Sequence, residues 1–479
     1  RPPRSTLFPY TTLFRSTNSV SLNTSQILPQ EEKTTQPLRL EPEQTELTRL
    51  NGQLHYFDEE AFQYLEENFS QDFEDYWQLP QTQPMTLQAV QETLQQAQDS
   101  HSTQSAVVFA VYVPPAPTTE TPIDRFILPR THNNPSPDDQ LLLIMVSATG
   151  KPIQYLVNVS KAELTQQATL FRLAVSDPDD PLSYKALAQQ MYNWLLAPLQ
   201  PALEERSIEH ILFSLDQGLR TIPLAAMIQG ESFVIKQYGL SIIPSVGLSQ
   251  HQLGHVPPVH RALIAGANQF TGFEELPAVP TELDIVAQNT QAIDVLLNET
   301  FTLDNFLALQ QSQQPNLLHL ATHAEFNAGD LDKSFIQFWN SKLTFHHMKE
   351  LSWPALELLI LSACGTALSS AEAELGFTGL AAAAGIETTM GSLWNVSDVG
   401  TLALMAEFYS QLSQSPLRFQ SLQQAQLSLA HSSTHIQNNI LSTSQDDISL
   451  PTEWQVTTKV EFSHPFYWAG FTMVGNPWH

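Results

Sequence analysis

The sequence predicts an α/β fold built around a mostly parallel central sheet with helices on both faces. Four apolar runs have the length of strands and show no polar alternation: HILFSLD (210–216), RALIAGA (261–267), LLHLATH (317–323) and ELLILSAC (357–364). Helical segments such as 281–289 and 303–312 lie between them. Strands that are apolar on both sides and separated by helices are typical of a sheet covered on each face, which gives a three-layer sandwich.

The first 50 residues are not expected to belong to this fold. The run RSTLFPYTTLFRS (4–16) is nearly a mirror of itself around Pro9, which is typical of a translated sequencing adapter, so we treat residues 1–16 as non-native. Residues 17–50 are rich in Gln, Thr, Glu and Ser and are predicted to be a disordered linker. We leave open whether the native N-terminus, with any targeting signal it carries, is missing.

Residues 51–100 are predicted to be a short helical region that precedes the main domain. Phe62, Leu65, Phe69 and Phe73 recur at helical spacing opposite an acidic face. We therefore expect an amphipathic helix over 58–77 that docks on a partner surface, followed by a second helix over 85–98.

Residues 105–180 are predicted to form a β-rich N-terminal extension of the main domain, which covers residues 183–479. The extension carries apolar runs at 106–114 and 140–148. The sequence leaves open whether these strands form a subdomain or join the main sheet. The remaining predictions are a strand at 155–159, helices at 162–176, 183–203, 398–413 and 417–431, a polar loop at 432–450, and a closing apolar segment at 464–475.

Composition and charge exclude several functions. The chain has 21 Lys and Arg against 49 Asp and Glu, a net charge of −28 that repels phosphate backbones, so no nucleic-acid partner is expected. No apolar run reaches the length of about 18 residues that spans a bilayer. The single cysteine, Cys364, excludes an intrachain disulfide and a Cys-based zinc site. We expect no metal and no cofactor, and the compartment stays open with the cytoplasm favoured.

Two reactive side chains follow predicted strands, and they are the first candidates for chemistry. LLHLATH ends at His323 and ELLILSAC ends at Cys364. Functional groups gather at the carboxyl ends of parallel strands, so neighbouring strands would place both groups in one cleft. A nearby imidazole raises the thiolate fraction of a thiol, which is the arrangement of a nucleophile and its base. From spacing alone a purely structural role stays open, because a cysteine in an apolar strand is commonly a buried core residue without a chemical function.

Eight motifs between 215 and 475 occur in the order found in the CHAT domain, which they resemble. The CHAT domain is a caspase-like peptidase domain related to separase, and the sequence is most similar to its cyanobacterial members. The resemblance runs from about Ser105 to Trp478. The motifs are LDQGLRTIPLAAM (215–227), IIPSVG (242–247), LHLATHAEFN (318–327), LLILSACGTA (358–367), ELGFTGLAAAAG (374–385), GSLWNVSDVGT (391–401), MAEFYSQL (405–412) and HPFYWAGFTMVG (464–475).

The resemblance implies roles for particular residues. The family's histidine and cysteine fall on His323 and Cys364, and the backbone N–H groups of Ala324 and Cys364 would stabilise an oxyanion. The family's W-x-V-x-D motif falls on Trp394, Val396 and Asp398, which implies that Asp398 lines a pocket for a basic P1 side chain, the residue before the cleaved bond. Asp398 is also a good N-cap for a helix over 399–413, and both roles stay open.

Two departures from the family pattern affect the oxyanion site. Ala324 stands where many members have glycine, and a positive φ there would be strained. Gly365 stands where many members have glutamate. Neither change removes the His–Cys pair.

The resulting prediction is a caspase-like cysteine endopeptidase that cleaves a specific protein or peptide and is gated by a regulatory protein partner or an upstream region. Cleavage after a basic residue is what the role of Asp398 in the family implies. One alternative is a catalytically silent caspase-like module that binds other proteins. A less favoured alternative is a small-molecule hydrolase that uses the same thiol.

Overall fold

The structure is a computed structural model. Side chains and backbone are described for residues 59–115, 136–249, 261–325, 332–351, 353, 355–362, 379, 383–415, 417–476 and 478, and backbone alone for 38–39, 48–50 and 53–55. Residues 1–16 lie outside the described residues. Within the predicted linker 17–50, Leu38–Arg39 and Thr48–Leu50 are short strands.

A mixed sheet dominates the described residues and has 12 strands. In chain order they are β1 (Leu38–Arg39), β2 (Ser105–Val113), β3 (Gln140–Ser147), β4 (Ile153–Ser160), β5 (His210–Leu215), β6 (Gly239–Ile242), β7 (Arg261–Gly266), β8 (Gln291–Leu297), β9 (Leu317–Ala321), β10 (Leu358–Leu361), β11 (Thr388–Ser392) and β12 (Phe471–Gly475). Across the sheet the order is β1-β4-β3-β2-β5-β6-β12-β11-β10-β9-β7-β8. The predicted α/β fold with a mostly parallel sheet is confirmed.

Apart from β1, β4 and β3 at one end, the sheet consists of two halves that run in opposite directions. β2, β5, β6 and β12 are parallel to one another, and β11, β10, β9, β7 and β8 are parallel to one another. The halves meet where β11 pairs with β12 antiparallel. The carboxyl ends of β7, β9, β10 and β11 therefore share one edge of the sheet, which we call the site edge.

The strands of segment 105–180 join the main sheet. β2 pairs with β5 in parallel over Ser105–Ala110, and β3 and β4 continue outward from β2 as antiparallel strands. Every residue of β2 is buried, as expected for a strand inside a sheet rather than at its border. This pairing answers the question that the sequence left open.

The helices agree with the predicted ones except near proline. They are α1 (Glu59–Trp77), α2 (Leu87–His101), α3 (Lys161–Val175), α4 (Tyr184–Leu195), α5 (Gln200–Glu205), α6 (Val279–Asn289), α7 (Leu303–Gln313), α8 (Phe345–Glu350), α9 (Asp398–Leu412) and α10 (Arg418–Ala430). The single helix predicted over 183–203 is instead α4, a 3-10 turn at Ala197–Leu199 and α5. Pro198 and Pro201 lack the N–H that a continuous helix needs, which explains the interruption.

The prediction of a polar loop over 432–450 is wrong. Three short strands, His435–Gln437, Ile440–Ser442 and Asp447–Ser449, form an antiparallel sheet with Val460–Glu461. Buried Glu407 of α9 anchors this small sheet, since its carboxylate accepts hydrogen bonds from Thr434 and from the N–H and hydroxyl of Ser444. The polar composition that suggested a loop belongs to short strands with few buried positions.

The predicted amphipathic helix docks on the chain's own core. Phe62 and Phe69 of α1 contact Phe109 of β2, with ring centroids 5.8 and 5.7 Å apart. Buried Arg220 donates to the Leu215 carbonyl at 2.9 Å and to the Asp72 carboxylate of α1 at 2.6 Å. A helix held by both aromatic packing and a buried ion pair is an integral part of the fold. Among the described residues, no helix combines the length and apolar character needed to cross a membrane.

Glu66 makes the docking of α1 sensitive to pH. Its fully buried carboxylate accepts from the N–H groups of Val246 (3.2 Å) and Gly247 (2.9 Å). Burial raises the pKa of Glu66 to about 7 from 4.5, although the two N–H groups act in the opposite direction. Between pH 4.5 and 7 the unfolded chain loses this proton while the folded chain keeps it, so stability falls as the pH rises, by up to about 3 kcal/mol.

The variant Glu66→Gln is expected to remove this dependence. In the glutamine one of the two oxygens becomes an NH2 group, so the side chain keeps only one of the hydrogen bonds from Val246 and Gly247, but it does not ionise. In urea unfolding, the stability of the variant relative to the wild type should rise between pH 5 and pH 8. An equal difference in unfolding free energy at the two pH values would show that Glu66 does not titrate in this range.

Candidate active site

The strands that lead to His323 and Cys364 are direct neighbours. β9 and β10 pair in parallel, with Leu317 opposite Leu358 and Leu320 opposite Leu361. His323 follows Leu320 by three residues, and Cys364 follows Leu361 by three residues. The expected adjacency of the two strands is confirmed, and both strands end at the site edge. Cys364 itself lies outside the described residues.

One nitrogen of the His323 imidazole is committed to the backbone. Nε2 lies 2.9 Å from the carbonyl oxygen of Glu274, and because a carbonyl can only accept, Nε2 carries the proton. In the neutral ring Nδ1 is then the nitrogen with a free lone pair. A group with one fixed donor and one unprotonated nitrogen can act as a base.

Two phenylalanines enclose the His323 ring. Phe273 stacks on it with centroids 5.0 Å apart at 21°, and Phe270 meets it edge-on at 4.7 Å. Burial lowers the pKa of His323, while the hydrogen bond to the Glu274 carbonyl and the Glu274 charge oppose that shift. The neutral form, which a base needs, is therefore favoured at neutral pH.

Ala324 lies in the extended conformation of a strand. Ala324–Glu325 pairs antiparallel with Phe335–Gln337, which pairs in turn with Lys342–Thr344. Gln337 N–H donates to the His323 carbonyl at 2.8 Å, so the next pair, Ala324 and Ile336, is of the type without mutual hydrogen bonds. The N–H of Ala324 consequently points away from its partner strand, toward the free edge of this three-stranded sheet. The alanine does not require a positive φ here, so the strain considered for this departure from glycine does not arise.

Asp398 is the first residue of α9 and is not its N-cap. Ser397 takes that role, because its hydroxyl accepts from the Gly400 N–H at 3.3 Å, so the alternative role predicted for Asp398 is wrong. The Asp398 carboxylate accepts instead from the N–H of Ala278 at 2.7 Å, at the start of α6. Burial raises the pKa of Asp398 to about 7, with a further increase from nearby Glu282, while the Ala278 N–H acts in the opposite direction. No ion pair joins Asp398 to a cation within the described part of the chain.

Three buried polar side chains, His319, Glu282 and Tyr409, lie in the core next to the site edge. His319 of β9 lies with Nε2 3.0 Å from the Glu282 carboxylate of α6 and Nδ1 3.0 Å from the Tyr409 hydroxyl of α9. All three side chains are at most 2% exposed. They tie α6 and α9 to the strand that leads to His323, and their burial excludes direct contact with a substrate.

Loop 267–278, which follows β7, contacts two of the predicted site residues, His323 and Asp398. The sequence did not identify this loop as part of the site. It contributes the Glu274 carbonyl and both phenylalanines to His323, and the Ala278 N–H to Asp398. Any residue type can supply a backbone carbonyl or N–H, so the sequence does not mark the residues that make such contacts. The one available clue was position, because this loop follows a parallel strand at its carboxyl end.

Trp394 of the W-x-V-x-D motif has a structural role. Trp394 is 6% exposed and donates from its indole to the Phe466 carbonyl at 3.1 Å. A Cβ at Gly470, the residue before β12, would approach this indole to 2.8 Å, which shows how closely the chain packs against it there. Among the residues with described side chains, no group of three or more His, Cys, Asp or Glu is arranged to hold a metal ion.

The family follows from a comparison with known proteins. The CHAT domain family model matches residues 185–476, more than half of the chain, and the chain belongs to the CHAT domain family. This confirms the resemblance found in the sequence. A search of curated proteins found no match.

Solved structures show a distant similarity. The Saccharomyces cerevisiae separase–securin complex matches with a TM-score of 0.49 and 11% identity, over 81% of this chain and 31% of that chain. A complex of the pro- and mature domains of RgpB from Porphyromonas gingivalis matches with a TM-score of 0.38 and 10% identity, over 67% of this chain and 78% of that chain. This chain thus spans about a third of the separase chain that it matches.

Proposed function

We propose that this chain is a cysteine endopeptidase with His323 as the base and Cys364 as the nucleophile. The parallel pairing of β9 and β10 supports this best, since it brings the two strands that lead to these residues to one edge. His323 Nδ1 takes the proton of the Cys364 thiol, and the thiolate attacks the scissile carbonyl carbon. Collapse of the tetrahedral intermediate expels the amine, which takes the proton from Nδ1, and water then hydrolyses the thioester.

The oxyanion of the tetrahedral intermediate needs N–H donors that are not already in use. The Ala324 N–H supports this role, since the strand register turns it away from Phe335–Gln337. Together with the N–H of Cys364 it would form a two-donor oxyanion site.

Asp398 is proposed to bind a basic side chain at P1. A carboxylate that is largely buried, and paired only with a backbone N–H among the described residues, is compensated when a guanidinium or ammonium reaches it. A neutral side chain would leave the charge without that partner, which makes the carboxylate a means of selection.

Gating by an upstream region or a partner is also part of the proposal. The last residue of α1, Trp77, packs so closely on Gly379 that a Cβ there would overlap the indole. Gly379 follows the segment that contains Cys364 in the chain. A displacement of α1 would therefore be transmitted to the chain at Gly379, which lies 15 positions after Cys364 in the sequence. Separase, in the structure that matches, is in a complex with securin.

The test is covalent labelling of the purified chain with an arginine acyloxymethyl ketone, read by intact mass. One adduct per chain is expected for the wild type, and none for Cys364→Ala or His323→Ala. Labelling that survives in Cys364→Ala would contradict the assigned nucleophile. If the wild type is not labelled, the rate of its reaction with iodoacetamide decides the case: a slow reaction unaffected by His323→Ala would favour a silent binding module.

A further inference from the structure

The two phenylalanines that enclose His323 also present surface to solvent. Phe270 and Phe273 are each partly exposed, and their ring centroids lie 6.2 Å apart. Side chains that served only to shield the imidazole would be expected to bury their own surface. These two rings form an apolar wall beside the imidazole of the proposed base.

The wall has a firm support. Phe335, 5% exposed, lies behind Phe273 with ring centroids 6.4 Å apart, and Lys342 Nζ lies 3.5 Å from the Phe335 ring centroid. Two hydrogen bonds hold loop 267–278 in place. The Glu274 carbonyl binds His323, and the Ala278 N–H binds Asp398. A rigid aromatic surface binds a side chain with little loss of entropy.

The chemistry of the base places this wall relative to the substrate. In the proposed reaction His323 Nδ1 gives its proton to the leaving amine. That amine belongs to the residue after the scissile bond, P1′, so the P1′ side chain lies close to the imidazole. Asp398, assigned to P1, contacts the other end of the same loop at Ala278.

Resting on the proposed function, we propose that Phe270 and Phe273 form the S1′ subsite and select an aromatic or large aliphatic residue at P1′. An aromatic ring at P1′ can pack on the exposed parts of both phenylalanines. Glycine at P1′ would leave them in water. Together with Asp398, this subsite would direct cleavage to the bond between a basic residue and an apolar one.

The test measures binding without turnover. Cys364→Ala of the full chain is titrated with two fluorescent peptides that are identical except for Arg-Phe or Arg-Gly at the central pair. The Arg-Phe peptide is expected to bind about tenfold more tightly, the gain from burying most of one aromatic side chain. Phe273→Ala and Phe270→Ala, each in the Cys364→Ala background, should each reduce this ratio to below about threefold.

A matched control removes a partly exposed phenylalanine elsewhere. Phe233 packs against Trp468 at 4.9 Å and Tyr184 at 6.5 Å, so Phe233→Ala should leave the ratio unchanged. Equal affinities for the two peptides, no measurable binding of Arg-Phe, or a preference that survives in both site variants would overturn the subsite. If Phe273→Ala does not fold, as judged by circular dichroism, Phe270→Ala decides.

The two proposals fail in different ways. The ketone probe ends at arginine and carries no P1′ amino acid, so labelling of the wild type reports the nucleophile independently of S1′. A labelled wild type with no peptide preference would refute the subsite and leave the endopeptidase proposal intact. A peptide preference with no activated thiol would refute the endopeptidase and leave a binding groove of the same specificity.

Discussion

Asp398→Asn is expected to lower kcat/KM for a peptide with arginine at P1 by roughly 10²- to 10³-fold, while a peptide with glutamine at P1 changes by less than about threefold. Removing one charge of a buried pair leaves the other charge without its partner and costs about 2–5 kcal/mol, a range that includes the expected loss. The amide oxygen can still accept from the Ala278 N–H, so α6 and α9 should keep their positions.

The same residue predicts a pH dependence that is specific to basic substrates. Because the pKa of Asp398 is raised to about 7, the free site holds a substantial fraction of the neutral acid near neutral pH. Cleavage after arginine should therefore fall as the pH drops through 7, as the carboxylate gains a proton. A glutamine substrate does not need that charge, so the ratio of the two kcat/KM values isolates the titration of Asp398 from that of His323 and Cys364.

The measurement pairs the two peptides across pH 5.5–8.5 in the wild type and in Asp398→Asn. Asp398→Glu serves as a control that keeps the charge but moves the carboxylate by one methylene. It should retain the preference for arginine more than Asp398→Asn does. An arginine preference that survives in Asp398→Asn would place the P1 pocket elsewhere.

The parts of the site that could be predicted are those marked by side-chain chemistry. Long apolar runs identified β9 and β10, and each run led directly to a reactive residue, His323 or Cys364. Their adjacency followed from the preference for parallel strands joined by a crossover to lie side by side. The motif around Asp398 gave its location. The alternative role of N-cap was wrong, because Ser397 is an equally good N-cap and only the structure shows which of the two side chains caps the helix.

The parts that could not be predicted depend on backbone contacts made at long range. The Glu274 carbonyl contacts a residue 49 positions away, and any residue type could supply that oxygen. The reversal of direction between β11 and β12 escapes sequence reasoning for a similar reason. An apolar strand buried on both faces looks the same whether its neighbour runs parallel or antiparallel.

Acid is expected to destabilise the fold through His210, the first residue of β5. This side chain is fully buried, stacks on Phe419 of α10 with ring centroids 3.9 Å apart, and lies 3.3 and 3.0 Å from the hydroxyls of Ser105 and Ser241. Burial lowers its pKa to about 3 from 6.5. The unfolded chain therefore binds a proton below pH 6.5 that the folded chain does not.

The unprotonated His210 therefore makes the folded chain less stable in acid than at neutral pH. The stabilisation is fully present above pH 6.5 and is lost as the pH falls toward 3, at about 1.4 kcal/mol per pH unit. At pH 4.5 this amounts to about 3 kcal/mol, a large share of the stability of a typical domain. Glu66 acts in the opposite direction because its pKa is raised, so the pH profile of the wild type alone would hide the effect of His210.

Comparison with His210→Gln separates the two contributions. Glutamine can still hydrogen-bond Ser105 and Ser241 but does not titrate. The variant should be less stable than the wild type at pH 7.5, where it lacks the stacked ring, yet lose less stability on acidification. In urea unfolding followed by tryptophan fluorescence, the difference in unfolding free energy should shrink by about 3 kcal/mol between pH 7.5 and pH 4.5. Parallel pH profiles for the two proteins would mean that His210 can accept a proton inside the folded core, and that the contact between β5 and α10 opens more readily than its burial indicates.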